Sequence, residues 1–293
     1  MRILFLVVGT LLLLGCQDTP KPPSWYYQSQ SDKHNLYGVG SDRNLQIAKD
    51  NAITDMLSHL QVNISSSTNL VQKYSDGIES SDMSQMIEKS IAQTTLSNVS
   101  YQTERVNNAY FVRAMVKKQD FIAQLQKEQK QALKVLQSLN LKCQDITLKE
   151  YNTLLQELTK ALGAQNYLDA LGVSSNTSTL LYADVLESNS PKPRIALMFD
   201  KPAQEGVSAL TTHLQKELVK FYRLDPQSSQ KFLVSFQMPS AASIKVNIAI
   251  IDCKGNPTFA TQISESLPNN TDVDKLANRA GVLVYKKLLE YAQ

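Results

Sequence analysis

The side chains that could do covalent or proton chemistry are few: three cysteines, Cys16, Cys143 and Cys253, and three histidines, His34, His59 and His213. Thiolates attack carbonyls, pair as disulfides or hold soft metals, while imidazoles move protons or ligate metal, so spacing decides which chemistry is open. No CxxC occurs, which removes zinc-ribbon and thioredoxin-type sites. The histidines fall before the first strand, on an exposed helix side and on a helix of another domain. No HExxH, His-x-His, Gly-x-Ser-x-Gly or P-loop is present. Acidic residues are spread singly along polar helical faces, although a carboxylate pair for glycoside hydrolysis can come from distant positions. Gly38-Val39-Gly40 begins like a dinucleotide loop, but Arg43 occupies the third glycine position and its side chain bars close pyrophosphate approach. The reading is non-enzymatic, with no catalytic residue, cofactor, metal or small-molecule substrate inferred and a hydrolase kept as the last alternative.

Cys16 is different, because its surroundings specify a reaction. Arg2 gives a short charged start, Ile3 to Leu14 form an apolar run, and Gly15 precedes the cysteine. The run is too short to span a bilayer, which takes about 20 residues, but it suits a secretory signal. Leu13-Leu14-Gly15-Cys16 resembles the bacterial lipobox, which implies cleavage before Cys16 and lipidation of its thiol. Gln17 rather than aspartate follows, which points by analogy to the outer membrane. Attachment to the membrane then rests on the lipid, because no second apolar run approaches spanning length. An exported chain permits a Cys143–Cys253 disulfide, although two buried free thiols fit the sequence equally well.

The formal net charge of +3 and 19% charged residues give no electrostatic reason to expect nucleic acid. After the signal peptide (1–16), Pro20, Pro22 and Pro23 make 17–24 an extended tether of about 25 Å at roughly 3 Å per residue. Trp25-Tyr26-Tyr27 then either meets lipid headgroups or packs onto the first domain.

That domain, 25–119, reads β-α-β-α-β-β. Leu36 to Gly40 is a strand; Ser41 or Asp42 caps a helix bearing Leu45, Ala48, Ala52, Met56 and Leu60 at helical spacing. Val62 and Ile64 alternate as a strand. A helix from Ser81 to Gln93 carries Met83, Met86, Ile87 and Ile91, and Asn107-Asn108 turns Val99–Thr103 into Tyr110–Val116.

Residues 120–172 read as an antiparallel helical hairpin. Leu125, Ala132 and Leu136 line one helix; Leu148, Tyr151, Leu154, Leu158 and Leu162 line the other. Thr147 and Glu150 form a capping box, with Gly163 and Gly172 as stops. These stripes either bury each other and cap a neighbour or form an oligomerisation seam. A linker, 173–193, holds a short helical island at Leu180–Leu186. The last domain, 194–293, reads β-α-β-β-β-α, with Phe232 to Ile244 as an edge that could accept a partner strand. The fold class is therefore α+β: two small two-layer domains separated by a helical hairpin.

The aromatic segment, Leu36-Tyr37-Gly38-Val39-Gly40-Ser41, the Ala48/Ala52 helix running into Val62-Asn63-Ile64-Ser65, and Tyr110-Phe111-Val112-Arg113-Ala114-Met115-Val116 together resemble one family. It is the 20-kDa surface lipoprotein (Lpp-twenty-like) family of epsilonproteobacteria. The likeness covers about Trp25 to Leu125 and implies an outer-membrane or surface lipoprotein, often antigenic and sometimes tied to flagellar structures. It brings no catalytic residues. The last domain is similar, in element order only, to the N-terminal domain of the Tol-system propeller protein and to lipoprotein activators of cell-wall synthases. The expected function is a lipid-anchored structural or adaptor protein binding other envelope or flagellar proteins. The alternative is a periplasmic regulator of a cell-wall enzyme or transport complex.

Overall fold

The computed structural model describes residues 21–27, 31–67, 96–174, 178–201, 206–240, 242–267 and 272–292. Cys16 and the expected helix at Ser81–Gln93 lie outside them. The fold is α+β, and the described residues divide into two units. One comprises those within Met1–Lys73, Ile91–Lys127 and Asn166–Ser174, the other those within Glu128–Gln165 and Ser175–Gln293.

In the first unit β1 (Asn35–Asp42), β2 (Ser100–Val106) and β3 (Ala109–Lys117) form an antiparallel sheet in the order β1-β3-β2. Asn107 turns β2 into β3 at φ 56°, the conformation that asparagine tolerates. Helix α1 (Leu45–Ser67) covers one face, burying Ala48, Ala52, Met56 and Leu60. Its start is closed by Asn44 rather than Ser41 or Asp42, the Asn44 Oδ1 accepting the Gln46 N–H at 2.8 Å. The strand expected at Val62 and Ile64 is instead the end of α1. Once a helix is nucleated, each added residue makes one more hydrogen bond, and Val or Ile opposes this by only a few tenths of a kcal/mol.

The opposite sheet face receives the short 3-10 turn Ser24–Tyr27. Tyr26 meets Phe111 edge-on at 5.2 Å, the Trp25 indole N–H donates to Glu104 at 3.1 Å, and the Arg113 guanidinium lies over Trp25 and Tyr37. The aromatic segment thus packs onto its own domain.

Helices α2 (Lys118–Ser138) and α3 (Leu148–Ala170) each contribute to both units. They run antiparallel: Phe121 meets Tyr167 within the first unit, and Gln129 donates to Gln165 within the second. Leu125, Ala132, Leu136, Leu154 and Leu158 are buried within the one chain. The capping box is present, with the Thr147 N–H donating to Glu150 Oε2 at 2.9 Å and the Glu150 N–H donating to Thr147 Oγ1 at 3.2 Å. Gly163, expected as a stop, lies inside α3. Gly172 follows the helix end at φ +76°, a left-handed conformation that suits glycine.

In the second unit α4 (Leu180–Ser188) precedes β4 (Arg194–Phe199). Then come α5 (Val207–Leu218), β5 (Arg223–Leu224), β6 (Lys231–Ser240), β7 (Ser243–Ile251), β8 (Pro257–Ser266) and α6 (Val273–Tyr291). Apart from the two-residue β5 this is the expected β-α-β-β-β-α order. The sheet runs β5-β4-β6-β7-β8, with β4 parallel to β5 and β6 and the remaining pairs antiparallel. Phe232, Val234, Phe236, Val246, Ile248 and Ile250 point into one core with Leu210, Leu214, Leu276, Ala280 and Val284 of the helices.

This order corrects the first part of the expected edge at Phe232–Ile244. From Lys231 to Val234 β6 is paired on both sides, by β4 and β7, and is interior there; from Ser235 onward it pairs with β7.

Candidate functional sites of the second unit

The connection between α2 and α3 is fastened to the second unit by a buried polar cluster. Asp145, 4% exposed, accepts from Arg194 Nε at 2.7 Å, the Ser229 N–H at 2.7 Å, and the Ser228 and Ser229 hydroxyls at 3.0 Å each. Gln230 Nε2 donates to the Ile146 carbonyl, and Asn189, fully buried, donates to the Gln144 carbonyl at 3.1 Å. Beside them Cys143 and Cys253 are joined by a disulfide, with Cα atoms 5.9 Å apart.

A polar cavity of about 240 Å³ opens here, lined by Asp145, Lys149, Glu150, Asp252, Thr258 and Tyr291 among others. Three carboxylates invite a catalytic or metal reading, yet each has a structural partner. Asp145 serves the cluster above, Glu150 the helix cap, and Asp252 the turn, where it accepts the Lys254 and Asn256 N–H groups at 2.8 Å. No group of three or more His, Cys, Asp or Glu among the described residues could hold a metal ion. The histidines are apart: His34 lies before β1, His59 is 3.7 Å from Asp55, and His213 is 3.0 Å from Asp274 in the second unit.

Burial alone would push the Asp145 carboxyl up. The Ser229 N–H, the two hydroxyls and Arg194 outweigh it and hold the group below the usual carboxylate range. A depressed folded-state value stabilises above the unfolded value of about 3.9, and that contribution disappears as pH falls through the folded value. Asp145→Asn is expected to cost about 2 kcal/mol at neutral pH, because Arg194 keeps only its 3.6 Å ion pair with Asp225 and the serine donors meet a weaker acceptor. It should also flatten the loss of stability below about pH 4. Denaturant midpoints taken from pH 7 to pH 2 check both; an acid limb as steep as that of the wild type would contradict the assignment.

The second candidate is the sheet face away from α5 and α6. Register aligns Met198 with Leu233, Leu233 with Ala249, and Ala249 with Ala260, an apolar row across four strands. Met198 is 44% and Leu233 36% exposed. Beside this row runs a polar ladder, in which Gln262 Nε2 donates to Asn247 Oδ1 at 2.5 Å and Asn247 Nδ2 to Ser235 Oγ at 3.4 Å. Row and ladder line a shallow depression of about 870 Å³. Sequence reading passed over these residues because alternation assigned Phe232, Val234 and Phe236 to the core and left their neighbours to solvent. Its trace was the apolar residues in the wrong phase: Leu233 on β6, Ala249 and Ile251 on β7.

Fold and sites together describe an α+β protein with a buried polar cluster and an open apolar row on its second sheet. Residues 23–117 match the family model described as LPP20 lipoprotein, as the resemblance of the N-terminal third implied. That match carries lipoprotein and cell-envelope character to the first unit. The chain is also similar to the solved structure of the secreted protein HP1454 from the human pathogen Helicobacter pylori. The TM-score is 0.53 at 16% identity, over 88% of this chain and 99% of that one. At that identity the likeness shows the fold alone. No curated protein sequence matches the chain. No helix among the described residues is long and apolar enough to cross a membrane.

Proposed function

We propose that this is an outer-membrane lipoprotein, anchored through lipid on Cys16, that binds another envelope protein on the open face of its second sheet. The observation carrying the reading is the Met198–Leu233–Ala249–Ala260 row, left exposed on a sheet whose other face is closed by α5 and α6. A contiguous apolar patch rimmed by hydroxyl and amide groups has the make-up of a protein interface: an apolar centre with a polar rim. The lipobox and the LPP20 match support the anchor. The occupied carboxylates of the polar cavity speak for binding over hydrolysis.

A photo-cross-linking residue at Leu233, in the full chain in its native envelope, tests this against the same residue at Lys216 on the exposed side of α5. Position 233 is expected to give discrete protein adducts that are lost with Met198→Glu. Cys16→Ala should move the chain from the detergent phase to the aqueous phase. Equal adduct patterns from the two positions would overturn the binding face; retention of Cys16→Ala in the detergent phase would overturn the anchor.

A further inference from the structure

We propose that two copies of this chain pair edge to edge through β8, antiparallel, about a two-fold axis at Gln262. Backbone parity across the sheet identifies what β8 offers. The Val234 carbonyl accepts the Asp200 N–H at 3.0 Å, so even-numbered β6 residues bond toward β4 and odd-numbered ones toward β7. Even-numbered β7 residues therefore bond toward β8, and the Leu267 N–H on the Ala242 carbonyl at 2.8 Å continues that alternation. It follows that Ala260, Gln262, Ser264 and Ser266 direct both N–H and C=O away from the sheet, while the register shift at Thr258 ends the alternation. All four are exposed, and β8 is the last strand in the sheet order.

Natural edges of this length are blunted by lysine, proline or an inward charge, because a row of unpaired donors and acceptors accepts any extended chain. From Thr258 to Ser264 this edge carries no charged residue and no proline; Pro257 and Glu265 stand only at its ends. Such an edge can take an extended chain, and its sequence suits its own reverse. With Gln262 opposite Gln262, the remaining outward pair is Ala260 with Ser264. On the helix side Thr261 meets Ile263, and Phe259 meets Glu265. No like charges face each other, and a β-branched pair sits beside the axis.

The Gln262 carboxamide spends one N–H on Asn247 and keeps an acceptor and a second N–H. It can therefore bond its own symmetry mate. In this register Ala260, Gln262 and Ser264 of each copy all find a partner. The apolar row then continues from Ala260 across the axis, giving a sheet of twice the width. A strand pair alone falls short of the roughly 1,200 Å² that stable complexes bury. The dimer is accordingly weak in dilute solution and favoured where the chains are concentrated on one surface.

Gln262→Cys in the full chain, held in detergent under oxidising conditions, places two thiols in directly opposed positions. It is expected to yield at least tenfold more covalent dimer than Gln237→Cys, which lies on the same face of β6, separated from β8 by β7. Ala260→Cys mixed with Ser264→Cys should cross-link as a hetero-pair more than either does alone; this arm also serves if Gln262→Cys melts early. Gln262→Pro, which removes one outward N–H, should abolish the concentration-dependent dimer in sedimentation while keeping the wild-type melt. A wild-type monomer at every concentration, or equal dimer yields at positions 262 and 237, overturns the proposal. None of these readouts involves another envelope protein, so the outcome is separate from that of the Leu233 cross-linking.

Discussion

Gly38→Ala is expected to destabilise the first unit by about 3 kcal/mol or more, and Gly40→Ala by a similar amount, although each adds only one methyl group. A Cβ on Gly38 would lie 2.1 Å from the Ala52 carbonyl oxygen and 2.5 Å from the Met56 nitrogen. One on Gly40 would lie 2.4 Å from both the Ala48 oxygen and the Ala52 nitrogen. These neighbours are backbone, so no rotamer change relieves the clash; α1 would have to lift from the sheet. Lifting it would uncover Ala48, Ala52 and Met56, at most 1% exposed, and Leu36 beneath them. Roughly 10–20 °C should be lost from the melting transition of this unit, with faster amide exchange confined to β1, β3 and α1. A Gly38→Ala protein within 1 kcal/mol of wild type would show that the close approach is not needed. The same geometry accounts for the glycine pair that looked like half a nucleotide loop. The backbone brought close is that of α1, and no phosphate is required to explain either glycine.

What the sequence made legible follows the range over which each signal acts. The Ala48/Ala52 stripe, the Thr147/Glu150 box, the Asn107 turn and the β6–β7 alternation are written within a few residues, and the structure realises them. The strand expected at Val62 and Ile64 failed because two β-branched residues cannot halt a helix already propagating from Asn44. The misplaced edge had a different cause. Whether Phe232–Val234 is central depends on a parallel partner, β4, which lies before the α5 crossover, and no local pattern reports strand order. Asp145 was invisible for the same reason. Its partners Arg194, Ser228 and Ser229 are distant in sequence, and a single aspartate in a turn looks like any solvated one.

Removing the Cys143–Cys253 disulfide should cost 3–5 kcal/mol while leaving the native fold in place. The cysteines are separated by 110 residues, and closing a loop of that length restricts the unfolded chain by about 5 kcal/mol in the chain-entropy account. The native state has other means of holding the same connection. Asp145 binds Arg194 and Ser229, Gln230 binds the Ile146 carbonyl, and Lys254 Nζ donates to Asn140 at 3.2 Å. With these intact, Cys143→Ser moves little in the folded protein and acts mainly through the unfolded ensemble. Three denaturant midpoints follow. Cys143→Ser and Cys253→Ser should be equally destabilised, and the double variant no more than either, because one bond is lost in every case. Reductant should shift the wild type by the same amount and leave the variants unmoved. Spectra of the reduced wild type below the transition should match the oxidised form. A wild-type midpoint indifferent to reductant would mean that the bond does not form in the folded chain, and additive single variants would point to two separate buried thiols instead.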